Sequence, residues 1–242
     1  MADSARSYLK SGSRLDVNKL DEERDRITQY LQNRGYYRFN KDFITYQVDT
    51  MRNSRNVDLI MKLHPYRRKK EDPPSPHRQY YVRNVDFMFD VDFAELTSGR
   101  LKGIDSLRSG GVNFFYKDKL FLRPQVISDY NYLKSGNLYR TRDVQSTYSA
   151  LGRLNILKYS NIRFREELEA DSAYLDAYVM LTRNKNKSLS FEIEGTNSAG
   201  DLGAAASVAY SHRNLFKGSE TFTFKLRGAY EAVTGLDSNK KL

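Results

Sequence analysis

Apolar and polar residues alternate most strictly near the end of the chain, over residues 221–230. Every second position there is apolar or small: Phe222, Phe224, Leu226, Gly228 and Tyr230. Such alternation over about ten residues predicts a strand with one apolar face and one polar face. Both a soluble sandwich and an outer-membrane barrel, whose strands need about 9–11 residues to cross the bilayer, contain such strands. Only three strand patterns follow residue 188, too few for two packed sheets, so the barrel origin is favoured.

Helical spacing of apolar residues appears in two long stretches, 15–35 and 141–154, and a shorter helical stretch is predicted over 123–136,. Gly35 suits the end of the first helix, and Thr141 is a candidate N-cap of the last one. The apolar stripe of the last helix consists of Val144, Tyr148, Leu151 and Leu154. Each long helix is followed by two strand patterns, FITYQVD and VDLIMKL after the first and YSNIRFRE and AYLDAYVML after the last.

This self-similarity predicts tandem copies of a small α+β module. The predicted division is a first module over 1–70 without an obvious first strand, a Pro-rich linker over 71–79, a second module over 80–187 and further antiparallel strands over 188–242. Within the second module, residues 94–122 show little periodicity and are predicted to be an insertion or a long loop.

The second module opens with alternating residues over 80–93, which place Val and Phe on one strand face and Asp86, Asp90 and Asp92 on the other. Carboxylates in this pattern are typical of a solvated sheet face opposite a core face. A Ca²⁺ site would need further oxygen ligands from a loop.

Composition and motifs argue against catalysis. The chain has no cysteine, and its three histidines are far apart, without the spacing of zinc ligands or of a catalytic triad,. No phosphate-binding glycine loop and no nucleophile elbow occurs. We therefore expect a protein that is not an enzyme, with no catalytic residues, no metal and no cofactor.

The order of elements resembles the β-α-α-β-β arrangement of POTRA (polypeptide-transport-associated) modules. The resemblance is clearest over 133–166, LKSGNLYRTRDVQSTYSALGRLNILKYSNIRFRE, which is similar to the module pattern G-x-x-Y … T-x-x-x-L-x-x-L-x-x-F/Y-x-x-V/I-x-F. Residues 192–226 resemble the first barrel strands of BamA/TamA-type outer-membrane assembly factors of the bacterial surface antigen family. Their turn RNLFKGSE is similar to the family's Asn-Leu-Phe-Gly-x-Gly-Glu, with the glycine moved one place to Gly218. The family's late barrel motif, Val-Arg-Gly-Phe, is not present, and we expect that this chain alone does not close a barrel.

The resemblance implies tandem POTRA-like modules followed by the start of an outer-membrane barrel. It further implies the outer membrane as location, with the modules in the periplasm, and a role in assembly, insertion or translocation of nascent outer-membrane proteins, with accessory assembly proteins as further partners. In the family, the strand after the second helix lies at a sheet edge, where an extended peptide can add as a further strand. The candidate edge residues are Ile44, Thr45, Tyr46, Gln47 and Val48 in the first module, and Tyr159, Ser160, Asn161, Ile162, Arg163 and Phe164 in the second. The candidate lipid-facing residues are Phe222, Phe224 and Leu226.

Two alternatives stay open. Neighbouring segments could cover both edges, or the charges of Arg163 and Arg165 could blunt the second edge.

The leading alternative function is a basic nucleic-acid-binding protein with tandem α+β domains, since the net charge is +10 and aromatic residues on central strands can stack on bases. The stretch VDFMFDVDF has such aromatic residues, but its aspartates would repel phosphate, so we expect no nucleic-acid partner.

Overall fold

A computed structural model describes residues 6–50, 56–69, 71–99, 103–169, 172–198 and 201–232. The helices are α1 (Val17–Gln32), α2 (Phe93–Thr97), α3 (Pro124–Asp129) and α4 (Thr141–Leu151). The strands are β1 (Ile44–Thr50), β2 (Val57–Leu63), β3 (Tyr80–Phe89), β4 (Asp105–Ser109), β5 (Val112–Tyr116), β6 (Leu157–Leu168), β7 (Ala173–Arg183), β8 (Lys187–Ser198), β9 (Asp201–Arg213) and β10 (Thr221–Ala232). The predicted α+β class is confirmed. No helix in these ranges is long and apolar enough to cross a membrane.

The strands form three sheets: β1-β2, the five-stranded β4-β5-β3-β7-β6 and the three-stranded β8-β9-β10. Pairing is mostly antiparallel, but β3 runs parallel to both of its neighbours, β5 and β7. In the described residues before the linker there are one α-helix and two strands, fewer elements than the β-α-α-β-β order contains. The division of the chain at the linker therefore stays a prediction.

The main core lies between the five-stranded sheet and the helices α3 and α4. Phe87 and Phe114 from the sheet pack with Ile127 of α3 and Leu151 of α4, and all four side chains are buried. Tyr148 was predicted to belong to the buried stripe of α4, but its side chain is 53% exposed. Leu151, another member of the predicted stripe, is buried, and it shares the inward face of α4 with Thr147 and Ala150.

The predicted N-cap role of Thr141 is wrong. Helix α4 begins at Thr141 itself, and the side chain at its N-cap position, Arg140, makes no capping hydrogen bond. The Thr141 hydroxyl instead donates to Oε1 of Gln32 at 3.2 Å. The residue that follows it, Arg142, donates its backbone N–H to Oδ1 of Asn33 at 2.9 Å. The beginning of α4 is thus held by the end of α1, a long-range partner that a local pattern does not reveal.

For residues 94–122, the long-loop alternative is wrong where the structure describes them, whereas the insertion stays a prediction. The segment contains the hairpin β4-β5, and β5 pairs with β3 inside the sheet. Val112 and Phe114 of β5 are buried in the main core. The hairpin extends the sheet on the side of β3 that lies away from β7.

The expectation of a solvated aspartate face on β3 is also wrong at Asp86. Its side chain is buried, and Oδ1 accepts a hydrogen bond from Nδ2 of Asn113 at 2.7 Å. The chain turns sharply at Asp90, whose φ is 53°, and this turn carries Val91 and Phe93 back over that face. There they pack with Met88 and Tyr178 in a second cluster. The sheet is therefore covered on both faces.

Candidate peptide-binding edge

Strand β6 is the terminal strand of the five-stranded sheet, and among the described strands it pairs with β7 alone. All six candidate residues of the second module, 159–164, lie on it. It is 12 residues long, whereas the opposite edge strand β4 has only five. Long edge strands offer unpaired backbone groups to an added strand. The structure thus presents one extended edge in this sheet.

The register identifies which backbone groups of β6 face outward. The N–H of Glu169 donates to the carbonyl of Ser172 at 2.9 Å, next to the pair Leu168–Ala173. In an antiparallel ladder, residue pairs that exchange hydrogen bonds alternate with pairs that do not. The odd-numbered residues from Tyr159 to Glu167 therefore bond to β7. The even-numbered residues point their N–H and C=O groups away from β7; they are Ser160, Ile162, Phe164 and Glu166.

The side chains of β6 divide between the two sheet faces. Ile162 and Phe164 pack against the main core. On the other face, the Arg163 guanidinium lies 5.7 Å from the centre of the Phe93 ring. Arg165 Nη2 lies 3.2 Å from Oδ2 of Asp176. Both arginines therefore have partners on their own sheet face, and neither contact involves the outward backbone groups.

Two aspartates under this face have opposite electrostatic environments. Burial raises the pKa of Asp86, although the hydrogen bond from Asn113 opposes this. Burial would also raise the pKa of Asp176, but hydrogen bonds from Arg83, Asn84 and Arg165 outweigh it, so that this pKa lies below its usual value. Arg83 binds Asp176 through two atoms, Nε at 3.0 Å and Nη2 at 2.7 Å. Asp176 is the ionised centre that ties β3, β6 and β7 together.

The candidate residues of the first module lie on β1, which pairs only with β2 among the described strands. Ile44 is buried and pairs with Leu63 in the ladder. The hydroxyl of Thr45 and Nε2 of His64 are 2.8 Å apart. The side chain of Val48 is exposed, and Tyr46 and Gln47 complete the run. In a sheet of two strands each strand is an edge, so these residues occupy a second, shorter edge.

A cleft of about 500 Å³ adjoins the carboxyl end of β6. Glu166 belongs to the wall of this cleft, and its carboxylate pairs with Arg38 and accepts a hydrogen bond from the Tyr80 hydroxyl at 3.0 Å. Burial and the nearby Glu166 raise the pKa of Tyr80 to about 12, so that this hydroxyl stays a neutral donor. Two further wall residues, Tyr66 and Ser75, are joined by paired backbone hydrogen bonds at 3.0 and 2.9 Å.

Sequence reasoning missed this cleft, because its walls come from segments far apart in the chain. They include residues 36–39, 66–68, 75–80 and 166–168. The available signal was the density of Tyr and Arg in the first three segments. That signal did not indicate that these residues meet at the end of an edge strand.

The candidate lipid-facing residues lie on a continuous apolar face of the third sheet. The register places Phe224 beside Tyr210 and Leu189, and Leu226 beside Val208 and Phe191. Phe222 lies beside His212 at the end of this face. The side chains of Phe222, Phe224 and Leu226 are 53%, 54% and 57% exposed.

The opposite face of the third sheet is charged. Lys225 of β10 reaches across β9 to Glu192 of β8, and Arg227 reaches Glu194, each at 2.7 Å. Residues of the middle strand on this face are small, Ala205, Ser207 and Ala209. Small side chains leave space for the two cations to cross. The sheet thus separates an apolar face from a face of paired charges.

The turn between β9 and β10 contacts the loop that precedes α3. Asn214 Nδ2 donates to the Phe121 carbonyl at 2.5 Å. Arg123 donates its backbone N–H to the Lys217 carbonyl at 3.0 Å and its Nε to the Phe216 carbonyl at 2.9 Å. These contacts join the third sheet to the loop that precedes α3.

The turn between β9 and β10 has left-handed backbone at positions that are not glycine. Lys217 and Ser219 have φ values of 60° and 64°, in the left-handed region that favours glycine. They occupy the two positions at which the family turn has glycine, whereas Gly218 lies between them. The Glu220 carboxylate accepts hydrogen bonds from the N–H groups of Phe216 and Gly218, each at 2.8 Å. This turn therefore adopts left-handed backbone at two non-glycine residues.

Comparison by sequence finds no matching protein-family model and no matching curated protein. Among solved structures, BamA from Haemophilus ducreyi lacking POTRA domains 1–3 is similar, with a TM-score of 0.54 and 15% identity, covering 92% of this chain and 33% of that one. The chain has a BamA-like fold. It spans about a third of the length of that structure.

CdiB from Acinetobacter baumannii is similar at a TM-score of 0.36 and 8% identity, covering 90% of this chain and 48% of that one. The N-terminal domain of Omp85 from Thermosynechococcus elongatus has a TM-score of 0.25 and 10% identity, covering 73% and 88%.

The aromatic residues on which the nucleic-acid alternative depends lie in the core. Phe87 and Phe89, the aromatic residues that a nucleic-acid-binding sheet would expose, are buried at 0% and 2% exposure. Bases cannot stack on rings inside the core. Within the described ranges, no group of three or more His, Asp or Glu side chains could hold a metal ion.

Proposed function

We propose that this chain is the periplasmic, substrate-receiving part of an outer-membrane protein assembly or translocation factor. In this proposal it binds unfolded β-barrel clients by strand addition at β6. The observation that supports it most is the outward backbone of Ser160, Ile162, Phe164 and Glu166 on a long terminal strand. The BamA-like fold supports the same assignment. The shorter edge at β1 is a second candidate position for a client strand.

The third sheet would form the first strands of the membrane barrel. Its apolar face, with Phe222, Phe224 and Leu226, would contact lipid, and Lys225 and Arg227 would face the barrel interior. The protein would then lie in the bacterial outer membrane, with the residues before the third sheet in the periplasm. Nascent outer-membrane proteins would be its clients, and accessory assembly proteins would be its further partners.

Strand addition needs no cofactor and no catalytic residue. Main-chain hydrogen bonds supply much of the affinity in such complexes, and client side chains contribute selectivity. Clients of different sequence can therefore bind the same edge. The free energy released when the client folds would drive its transfer.

The test uses a capped peptide with the sequence of residues 221–230 as an extended barrel strand. One form carries N-methyl groups on its even-numbered residues and another on its odd-numbered residues. Backbone N–H groups of alternate residues face opposite sides of a strand, so one methylated form should lose binding and the other should keep it. Isothermal titration calorimetry measures the affinities. Equal binding of all three forms would contradict strand addition.

A matched pair of protein variants locates the edge. Ser160→Pro removes an outward N–H, while Ser160→Ala keeps it, and proline is tolerated where its N–H faces outward at an edge. We expect Ser160→Pro to weaken binding of the unmethylated peptide about tenfold or more, and Ser160→Ala to leave it unchanged. Circular dichroism checks that both variants fold. Arg163 is a poorer position for proline, because it is one of the odd-numbered residues whose N–H groups bond to β7,.

A further inference from the structure

We infer that the cleft at the carboxyl end of β6 binds an acidic side chain at the end of the client strand. This inference rests on the proposed strand addition and deepens it. The cleft would then act as a pocket at one end of β6 and would distinguish extended peptides that are otherwise similar. The ligand class is an extended segment that carries an aspartate or glutamate in the residue next to its paired part.

The position of the cleft connects it to the edge. Glu166 and Leu168 belong both to β6 and to the cleft wall. The outward backbone groups of β6 end beside the cleft, because Glu166 is one of the even-numbered residues. A strand advances about 3.3 Å per residue. A client paired with Ser160 to Glu166 therefore places its next residue at the mouth of the cleft.

The charge of the cleft is unbalanced. Its wall holds three arginines, Arg38, Arg68 and Arg78, and a single carboxylate, that of Glu166. Glu166 already pairs with Arg38 and accepts from Tyr80. Arg78 donates to the backbone carbonyl of Glu169 at 3.3 Å. In the described part of the chain, the exposed Arg68 has neither an ion pair nor a hydrogen bond to its guanidinium. Guanidinium groups form paired hydrogen bonds with carboxylates, so the free group in this wall favours an acidic ligand.

The aromatic lining strengthens this preference. Phe39, Tyr66 and His77 form edge contacts around the cleft, with the His77 ring 5.0 Å from Phe39 and 6.4 Å from Tyr66. These rings reduce the access of water to one side of the cleft, and a charge pair is stronger where water is partly excluded. The linker hydrogen bond between Nε2 of His77 and the carbonyl of His64, at 2.8 Å, holds this wall in place.

The experiment uses four extensions of the capped 221–230 peptide: one Glu at its amino end, one Glu at its carboxyl end, and Gln at each of the same two positions. We expect one of the Glu peptides to bind about three- to tenfold more tightly than its Gln partner, and the advantage to decrease with added salt. The end at which Glu acts also gives the direction of the client strand along β6, since only one end reaches the cleft.

Arg68→Gln should remove the advantage of the Glu peptide and leave the Gln peptide unchanged. The matched control is Arg153→Gln, which removes the same charge from an exposed position outside the cleft. Loss of the advantage in both variants would mean general charge attraction, and it would overturn the inference. Equal binding of Glu and Gln peptides, with Ser160→Pro still weakening both, would overturn the acidic site but leave strand addition intact. If none of the peptides binds, both proposals are wrong.

Discussion

Asp86 and Asp176 lie on neighbouring strands under the same sheet face, yet their side chains meet opposite surroundings. Asp86 has the neutral amide of Asn113 as its hydrogen-bond donor, and burial raises its pKa. Asp176 is 2% exposed but receives Arg83, Asn84 and Arg165, which together lower its pKa against the effect of burial. A buried carboxylate costs free energy unless it is paired. Asp176 therefore stabilises the sheet in its ionised form, whereas Asp86 does not.

Asparagine substitutions should separate the two roles. We expect Asp176→Asn to lower the free energy of unfolding at pH 7 by roughly 2–3 kcal/mol, because two arginines lose their partner. Asp86→Asn should leave it unchanged or raise it, because the amide can still accept from Asn113 and no buried charge remains. Urea denaturation measures both. Equal losses in the two variants would contradict this assignment.

The pH dependence of the Asp176 effect has a definite sign. A carboxyl group whose folded pKa is lowered contributes stability above its unfolded pKa, about 3.9, and that contribution is lost as the pH falls below this value. The difference between Asp176→Asn and the parent should therefore shrink when the urea denaturation is repeated at about pH 3. A difference that grows on acidification would show that Asp176 is not ionised at neutral pH.

At the scale of elements, the end of α1 contacts the beginning of β3 and the segment before α4. Gly35 has a φ of 94°, and its carbonyl accepts from the N–H of Tyr80 at 2.8 Å. The Tyr37 ring packs against the rings of Tyr80 and Tyr139, with centroids 5.5 and 5.1 Å apart. A Cβ at position 35 would lie 2.6 Å from Cδ1 of Leu138. Position 35 therefore requires glycine for two reasons: its backbone is left-handed, and a Cβ there would lie too close to Leu138.

Gly35→Ala should weaken this junction. The left-handed backbone costs about 1–2 kcal/mol for a residue with a Cβ, and the contact with Leu138 adds to it. Gly136→Ala is the matched control, since Gly136 has a φ of 84° but open space around its added Cβ. Thermal unfolding should show a larger loss for Gly35→Ala. Equal losses would mean that the contact with Leu138 has no energetic effect.

At the scale of the whole molecule, the third sheet differs from the five-stranded sheet. Its apolar face is exposed, whereas the five-stranded sheet packs its apolar side chains in a buried core. Ile193 is 88% exposed and Phe191 73%, beside the already exposed Phe224 and Leu226. Large exposed apolar patches mark surfaces that bind a membrane or a partner. The opposite face carries paired charges, so the sheet has such a surface on one side only.

Vesicle flotation tests this side preference. Phe224→Ser with Leu226→Ser should reduce binding to neutral phosphatidylcholine vesicles, because each buried apolar side chain contributes about 1.5–3 kcal/mol. Lys225→Ser with Arg227→Ser is the control from the other face, and it should bind as the parent does. Neutral lipid is needed because the net charge of +10 would attract the chain to anionic vesicles. If the apolar pair of substitutions has no effect, these residues do not face lipid.

The local periods of the sequence determined much of the fold. The alternation at 221–230 lies within β10, the helical spacing at 15–35 contains α1, and YSNIRFRE lies within β6. These predictions succeeded because side-chain direction in a strand or helix repeats with a fixed period, whatever the rest of the chain does. The same reasoning placed Phe222, Phe224 and Leu226 on one face.

Only the tertiary structure decided which elements are neighbours. It placed β5 beside β3, brought Phe93 over Met88 and Tyr178, and brought Arg38 and Tyr80 to Glu166 of β6. Burial of Asp86, the outward backbone of β6 and the charged cleft all depend on these long-range contacts. The period of apolar residues shows which side of a helix or strand is buried. It does not show which other segment covers that side, because contacts between distant residues leave no regular spacing in the chain.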